Sequence, residues 1–200
     1  PDGHIKMTLT VDENGKPFYN VSVDDSLLIE NSAMGFTAAN GIILAEGFQV
    51  KNTTFSSEDE TWTQPWGENK KNRNHYNEMA VSLTNEDQVQ LTLRFRVFDD
   101  GIGFRYEYTV PTVDSLLITD ELTTFHFHRD GTSWSIPASA ETYELLYQQQ
   151  PISEVETANT PFTFKTADGV YGSIHEAALY DFPEMTLKQI GHYTLKAELA

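Results

Sequence analysis

The stretch VQLTLRFRVFDDGIGFRYEYT, residues 89–109, decides the fold class. Apolar and polar side chains alternate in two runs, residues 89–97 and 102–108, which the turn sequence DDG separates. A period of two places every second side chain on one face of an extended strand, and a short turn with glycine lets two such strands pair. The stretch therefore predicts an antiparallel hairpin with one buried face.

The same pattern recurs towards the amino terminus. Residues 5–11 and 18–23 alternate on either side of Asn14-Gly15. Asparagine and glycine tolerate the positive φ angles of a tight primed turn, so this pair predicts a second hairpin. Further short strands are expected at residues 116–118, 125–127, 162–164, 170–174 and 193–199.

Helical periodicity is weak throughout the chain. No segment keeps apolar residues in a helical spacing over three turns, and only residues 138–146 or 176–180 could form a short helical turn. A chain of 200 residues with this pattern fits one all-β domain. We therefore expect residues 1–200 to form a large antiparallel β-sandwich with few short helical turns.

The composition excludes several classes of partner. The chain carries 30 acidic and 13 basic residues, a formal net charge of -17, which repels nucleic-acid phosphates. Excess carboxylates usually form a solvated surface, but some could converge on a cation such as calcium. The absence of cysteine excludes disulfides and thiolate metal sites, and no apolar run is long enough for membrane insertion.

Residues 53–77 are polar and alternate poorly, so we expect a long loop there. Within it, TWTQPWGENKKNRNHYNE, residues 61–78, combines two tryptophans with amides, a histidine and an arginine. Indole rings stack on sugar C–H surfaces while amides and charges bind hydroxyl groups, so this mixture suits a carbohydrate. The alternative is that both tryptophans anchor the loop on the sheet, with Glu68 and Arg73 paired at the surface.

Two further patterns could bind a cation. Glu176 follows a predicted strand, where a carboxylate can reach a hard cation such as calcium, although a surface glutamate gives the same pattern. His126 and His128 share one strand face and could bind zinc, but no third ligand is evident nearby in the sequence. The alternative is that both histidines are surface side chains that alternate with core Phe125 and Phe127.

Six segments, taken in order, resemble the amino-terminal domain of glycoside hydrolase family 97. They are WGENKKNRNHYNE (66–78), FRVFDDGIGFRYEY (95–108), ITDELTTFHF (118–127), WSIPA (134–138), ANTPFTF (158–164) and IHEAALYDFPEMTL (174–187). The resemblance covers nearly the whole chain. It implies a super-β-sandwich similar to galactose mutarotase, packed on a catalytic (β/α)8 barrel that a small β domain follows, both outside residues 1–200.

The same resemblance implies a function shared between domains. Members of the family are exo-acting, calcium-dependent α-glucosidases or α-galactosidases of the periplasm, and their catalytic residues lie on the barrel, so we expect this chain alone to be inactive. By motif, Glu176 matches a sandwich glutamate that binds calcium together with barrel glutamates. Trp66, Glu68, Asn74 and His75 match a long loop expected to face the sugar pocket. The expected partners are an oligosaccharide and the chain's own barrel.

Two other functions also fit these residues. A stand-alone carbohydrate-binding module would use Trp62 and Trp66 as a sugar platform. A mutarotase-like epimerase would use His75 or His175 together with Glu176 as acid and base.

Overall fold

A computed structural model describes residues 1–180 and 182–199, and it confirms the all-β prediction. Eighteen strands follow one another along this part of the chain, with two single-turn 3-10 helices at Ala39–Gly41 and Ile152–Glu154. No helix in the described ranges is long and apolar enough to cross a membrane. The strands are β1 (Ile5–Val11), β2 (Pro17–Val23), β3 (Ser26–Ala33), β4 (Phe36–Ala38), β5 (Ile43–Leu44), β6 (Gln49–Thr63), β7 (Lys71–Thr84), β8 (Gln90–Val97), β9 (Ile102–Thr109), β10 (Ile118–Glu121), β11 (Thr124–His126), β12 (Gly131–Ser135), β13 (Gln148–Pro151), β14 (Thr157–Asn159), β15 (Phe162–Thr166), β16 (Tyr171–Ile174), β17 (Met185–Gly191) and β18 (Thr194–Leu199).

The strands form five antiparallel sheets. Sheet 1 has the order β1-β2-β3, sheet 2 the order β10-β4-β5, sheet 3 the order β6-β7-β8-β9, sheet 4 the order β11-β18-β17-β14, and sheet 5 the order β13-β12-β15-β16. An isolated antiparallel bridge between Ile29 and Phe127 connects sheets 1 and 4. The predicted antiparallel sandwich is therefore confirmed.

One hydrophobic core fills the space between the sheets. The inward side chains of β8, Leu91, Leu93 and Phe95, are fully buried, as the period-two alternation predicts. Large aromatic side chains complete this core, and the rings of Phe127 and Phe164 meet edge to face at 4.8 Å.

Both predicted hairpins are present, in registers that pair Ile5 with Val23 and Val97 with Ile102. The first turn differs in detail from the prediction, because only Gly15 has a positive φ, of 74°, and Asn14 does not. The Asp12 carboxylate closes this turn by accepting the backbone N–H groups of Asn14 and Lys16. A Cβ at Gly15 would lie 2.3 Å from the backbone nitrogen of Phe48, so close packing also requires glycine there.

The prediction of a long loop over residues 53–77 is wrong. Strands β6 and β7 pair continuously from Gln49 with Thr84 to Thr63 with Lys71, whereas β8 covers β7 only between Asn77 and Thr84. The outer part of this hairpin, residues 58–76, is a two-stranded ribbon that we call the arm. Every residue of β6 is exposed, so the ribbon needs no apolar alternation, and the alternation pattern that identified the other strands is missing.

Three smaller expectations also need correction. Neither 138–146 nor 176–180 forms a helical turn, because serine and threonine side chains accept backbone N–H groups in the first segment and the second runs as irregular chain. The strand expected at 116–118 lies at Ile118–Glu121 instead. It pairs there with β4, a contact that local sequence does not encode.

Truncation of a core aromatic tests this packing. Phe162 is fully buried on β15, so Phe162→Ala should lower the free energy of unfolding by about 3–5 kcal/mol through lost burial and a residual cavity. Phe55→Ala removes the same atoms from a side chain that is 76% exposed, and it should change stability by no more than ~0.5 kcal/mol. Urea unfolding followed by circular dichroism measures both, and equal losses would contradict the core as described.

Candidate functional site

The Glu176 carboxylate is held by two neutral donors. Glu176 lies two residues after the end of β16 and is partly buried. Its Oε2 accepts the hydroxyl of Thr160 at 2.6 Å, and its Oε1 accepts the backbone N–H of Met185 at the start of β17. Thr160 lies between β14 and β15, so the carboxylate is fixed where sheets 4 and 5 meet.

This arrangement leaves the carboxylate able to bind a cation. An ionised carboxylate has about four lone-pair sites, and the two hydrogen bonds use only two of them. Neither donor carries a charge, so the negative charge is oriented but not neutralised by these contacts. A carboxylate in this state is a suitable oxygen ligand for a hard cation such as calcium.

A second carboxylate, Glu121, lies near Glu176 at the end of β10. Its residue is only 7% exposed, and its Oε1 accepts the Thr123 hydroxyl at 2.7 Å. Burial raises the pKa of Glu121, and the negative charge of Glu176 adds to the increase. The Tyr106 hydroxyl also contacts the Thr123 hydroxyl at 2.7 Å, so Glu121 is tied to the core of sheet 3.

Tyr143 and Glu184 complete the surroundings of Glu176. The carboxylate of Glu184 raises the pKa of the Tyr143 hydroxyl, with a smaller contribution from the charge of Glu176, so the three groups are neighbours. Two surface segments flank this region and expose apolar side chains. They are Tyr143, Leu145, Leu146 and Tyr147 in the first segment, and Leu179, Tyr180 and Phe182 in the second. We call this surface the apolar rim.

Within the described residues, no three histidine, cysteine, aspartate or glutamate side chains stand ready to hold a metal ion. Glu176 could therefore serve only as one ligand of a calcium site, and the remaining ligands would come from elsewhere. The chemistry of its two free lone pairs fits that role, since calcium takes about six to eight oxygen ligands that two domains can supply together.

The predicted sugar-binding residues lie on the arm. Trp66 and Glu68 are in the tip between β6 and β7, where Trp66 is 83% exposed. The Asn74 amide donates to the Glu60 carboxylate across the ribbon at 2.9 Å. Trp62 is 50% exposed, so neither tryptophan anchors the arm on the sheet. Arg73 makes two 2.7 Å bonds to Asp59 rather than pairing with Glu68.

The histidines invoked for an epimerase are not arranged as an acid–base pair with Glu176. His175 directs its Nδ1 to the backbone carbonyl of Glu176, 2.8 Å away, and not to the carboxylate. His75 lies on β7, and its Nδ1 is 3.6 Å from the carboxylate of Asp99 rather than near Glu176. This geometry does not favour the epimerase.

The arm tip and Glu176 lie far apart. Glu121, the neighbour of Glu176, is linked through the Thr123 hydroxyl to Tyr106 on β9. Tyr106 pairs with Leu93, and Leu93 pairs with Val81, so Tyr106 and Val81 lie at the same position along the strands of sheet 3. From Val81, strand β7 runs to Lys71 at the tip over roughly 33 Å of extended chain. The structure therefore does not bring Trp66 and Glu68 to the carboxylate predicted to bind calcium.

Sequence reasoning missed Thr160, Glu121 and Tyr143 as neighbours of Glu176. All three lie within or beside segments that look like ordinary strand and turn sequence, and they meet Glu176 only through sheet pairing. No local signal marks Glu121, because the adjacent Thr119 and Asp120 are polar as well.

Comparison with known proteins identifies the family of this chain. The family described as Glycosyl-hydrolase 97 N-terminal matches residues 1–199. A retaining alpha-galactosidase of Bacteroides thetaiotaomicron is 24% identical over 202 residues, which cover 94% of this chain and 29% of that protein.

Solved structures show the same fold. A glycoside hydrolase family 97 enzyme from Pseudoalteromonas sp. strain K8, solved in complexes with panose and with acarbose, superposes with a TM-score of 0.92 at 36% identity over 100% of this chain. A beta-arabinopyranosidase shares the fold alone, with a TM-score of 0.86 at 22% identity. This chain spans 31% of the length of the Pseudoalteromonas enzyme.

The all-β sandwich and these matches define the class as the N-terminal domain of a glycoside hydrolase. The chain belongs to glycoside hydrolase family 97, as the family's N-terminal domain.

The stability of the folded chain should depend on pH through Glu121. Its pKa is raised in the folded chain, so as pH rises above its ordinary value of 4.5 the unfolded chain ionises first and stability falls until the folded group also ionises. Glu121→Gln removes this loss and keeps an acceptor for Thr123. The variant should therefore gain stability relative to the unsubstituted chain as pH rises above about 4.5, as measured by urea unfolding. Glu154→Gln, at an exposed position, is the control, and a flat difference for Glu121→Gln would contradict the assignment.

Proposed function

We propose that this chain is the accessory amino-terminal domain of a calcium-dependent, exo-acting α-glycosidase. In this role Glu176 supplies one calcium ligand, a catalytic (β/α)8 barrel supplies the others, and the domain packs on that barrel to form one wall of the sugar pocket. Bound calcium would polarise a hydroxyl group or water and orient the sugar. Thr160 and the Met185 N–H would hold the Glu176 carboxylate in its binding orientation.

The state of Glu176 is the observation that carries this proposal. A partly buried carboxylate loses hydration, and hydrogen bonds from neutral donors compensate only part of that cost. A cation on the free lone pairs would compensate the rest. The family match supports the same role, because the chain accounts for 29% of the alpha-galactosidase and leaves room for a catalytic domain.

The apolar rim supports docking of another domain beside Glu176. Leu146 is 89% exposed and Tyr180 is 86% exposed, and both lie in segments that flank the carboxylate. Clusters of exposed apolar side chains mark surfaces that become covered in an assembly. We therefore place the barrel interface on the apolar rim, so that docking and completion of the calcium site occur together.

The relatives support an α-linked substrate. One is named a retaining alpha-galactosidase, and the enzyme from Pseudoalteromonas was solved with panose and with acarbose. We propose α-glucosides or α-galactosides as the substrate class of the parent enzyme, and the periplasm as its location.

Substitution of Glu176 tests the calcium role. In the parent enzyme, Glu176→Gln keeps the size of the side chain and one acceptor oxygen but removes the charge, and an amide NH2 group replaces the second acceptor. Calcium affinity and turnover at fixed low calcium should each fall by at least about tenfold, because a neutral amide oxygen is a weaker calcium ligand than a carboxylate. Calcium titration of the chelator-treated enzyme, followed by initial rates, measures both.

The control for this experiment is Glu154→Gln, which removes one charge from an exposed glutamate on the 3-10 turn. It should leave the calcium dependence unchanged. An unchanged calcium dependence in Glu176→Gln would exclude Glu176 as a ligand.

The exposed tryptophans favour a second role for the arm. We propose that Trp66, with Glu68, Asn74 and His75 along the ribbon, contacts sugar units remote from the scissile bond. An indole that is 83% exposed offers a free stacking face, and its distance from Glu176 excludes contact with the same monosaccharide. With this role, the isolated domain would also bind sugar, as a stand-alone carbohydrate-binding module does.

Titration of the 200-residue chain with an α-linked oligosaccharide separates the two roles. If the arm binds sugar, calorimetry should show saturable binding that Trp66→Ala weakens by at least about tenfold, in line with ~1–1.5 kcal/mol for an aromatic contact. Phe55 is an exposed aromatic residue on the same hairpin, and the Phe55→Ala variant should bind the oligosaccharide as tightly as the unsubstituted 200-residue chain. No heat from the parent chain would exclude the arm as an independent sugar platform.

A further inference from the structure

We propose that Glu30, His126 and His128 form a binding site for a zinc-class divalent cation on the surface that joins sheets 1 and 4. The two histidines stand in the segment Phe125-His126-Phe127-His128, and the calcium proposal does not use them. The structure adds the third ligand that the local sequence lacks, because β3 lies beside β11.

Strand pairing places the three side chains on one face. Ile29 and Phe127 form an antiparallel bridge, and the backbone N–H of His128 donates to the Leu28 carbonyl at 3.0 Å. This register sets Glu30 opposite His126 and diagonal to His128. Ile29 and Phe127 are buried at 6% and 0% exposure, so their neighbours in the alternation project to the opposite, outer side.

The distances suit a shared ion. Glu30 Oε2 lies 2.8 Å from His128 Nδ1, and Glu30 Oε1 lies 3.7 Å from His126 Nε2. Two ligands bound tetrahedrally to one zinc ion at about 2.0–2.2 Å stand roughly 3.4 Å apart. The two separations from Glu30 fall on either side of this value, so the carboxylate lies within reach of an ion bound to either imidazole.

The groups of the described chain do not yet form an assembled metal site. Glu30 instead bridges the two imidazoles, through a hydrogen bond to His128 that a metal ion would replace. The side chains of Glu30, His126 and His128 are 31%, 32% and 39% exposed, so they have room to turn and water can complete the coordination. The backbone positions are fixed by the sheet, which keeps the required movement small.

The donor set selects the class of cation. Two imidazoles with one carboxylate suit Zn²⁺, Co²⁺ or Ni²⁺, whereas calcium prefers oxygen ligands alone. This site therefore differs in chemistry from the one proposed at Glu176. A bound ion would connect β3 to β11 across 98 residues of sequence, and it would stabilise the folded chain because the unfolded chain lacks the assembled ligands.

Zinc titration of the chelator-treated 200-residue chain tests the proposal. Calorimetry should give one saturable site, and zinc should raise the thermal unfolding midpoint. His126→Ala and His128→Ala should each lower the affinity at least about 100-fold, since loss of a direct ligand exceeds the 10–100-fold cost of an outer partner. Glu30→Gln should lower it at least about tenfold.

Two matched variants make the result specific. His192→Asn removes a surface histidine at a positive φ of 39°, which asparagine tolerates, and it should bind zinc like the parent chain. Glu176→Gln should also leave zinc binding unchanged, so failure here is separate from failure of the calcium proposal. Absence of saturable zinc binding, or binding that survives in the folded His126→Ala/His128→Ala chain, would overturn the proposal. Circular dichroism confirms folding of each variant.

Discussion

The Glu176 carboxylate is oriented by neutral donors and keeps its negative charge. Thr160 lies in the connection between sheets 4 and 5, and Met185 begins β17 of sheet 4, so the position of the carboxylate depends on how these two sheets are packed. A charge that is partly removed from water and not paired needs compensation from another source. In the proposed role of this domain, a cation shared with a second domain would provide it.

The aromatic core sets the geometry of that junction. Phe162 begins β15 directly after the turn that carries Thr160, and Leu187 anchors β17 just after Met185; both side chains are fully buried. Because these neighbours cannot move without opening the core, the two donors stay at fixed positions. Nearby, Glu121 brings a second carboxylate whose raised pKa reflects its burial and the charge of Glu176. A cation at Glu176 would relieve part of this repulsion.

Local sequence predicted the strands that have one buried face and one exposed face. The β8–β9 and β1–β2 hairpins each bury one face, so their alternation is visible without any tertiary information. On the arm, β6 has no buried face, so apolar and polar residues do not alternate there, and the sequence predicted a loop instead of a strand. Motif resemblance identified Glu176, but its partners could not be found from the sequence, because Thr160 is 16 residues away and Glu121 reaches it only through sheet pairing. For the same reason, the sequence did not identify Glu30 as a neighbour of His126 and His128.

A crystal structure of the full-length parent enzyme with bound calcium tests the account most directly. The account predicts a Glu176 carboxylate oxygen at about 2.3–2.6 Å from the ion, with barrel carboxylates completing the shell and the apolar rim covered by the barrel. A calcium ion whose ligands all come from the barrel, with Glu176 outside bonding distance, would contradict it.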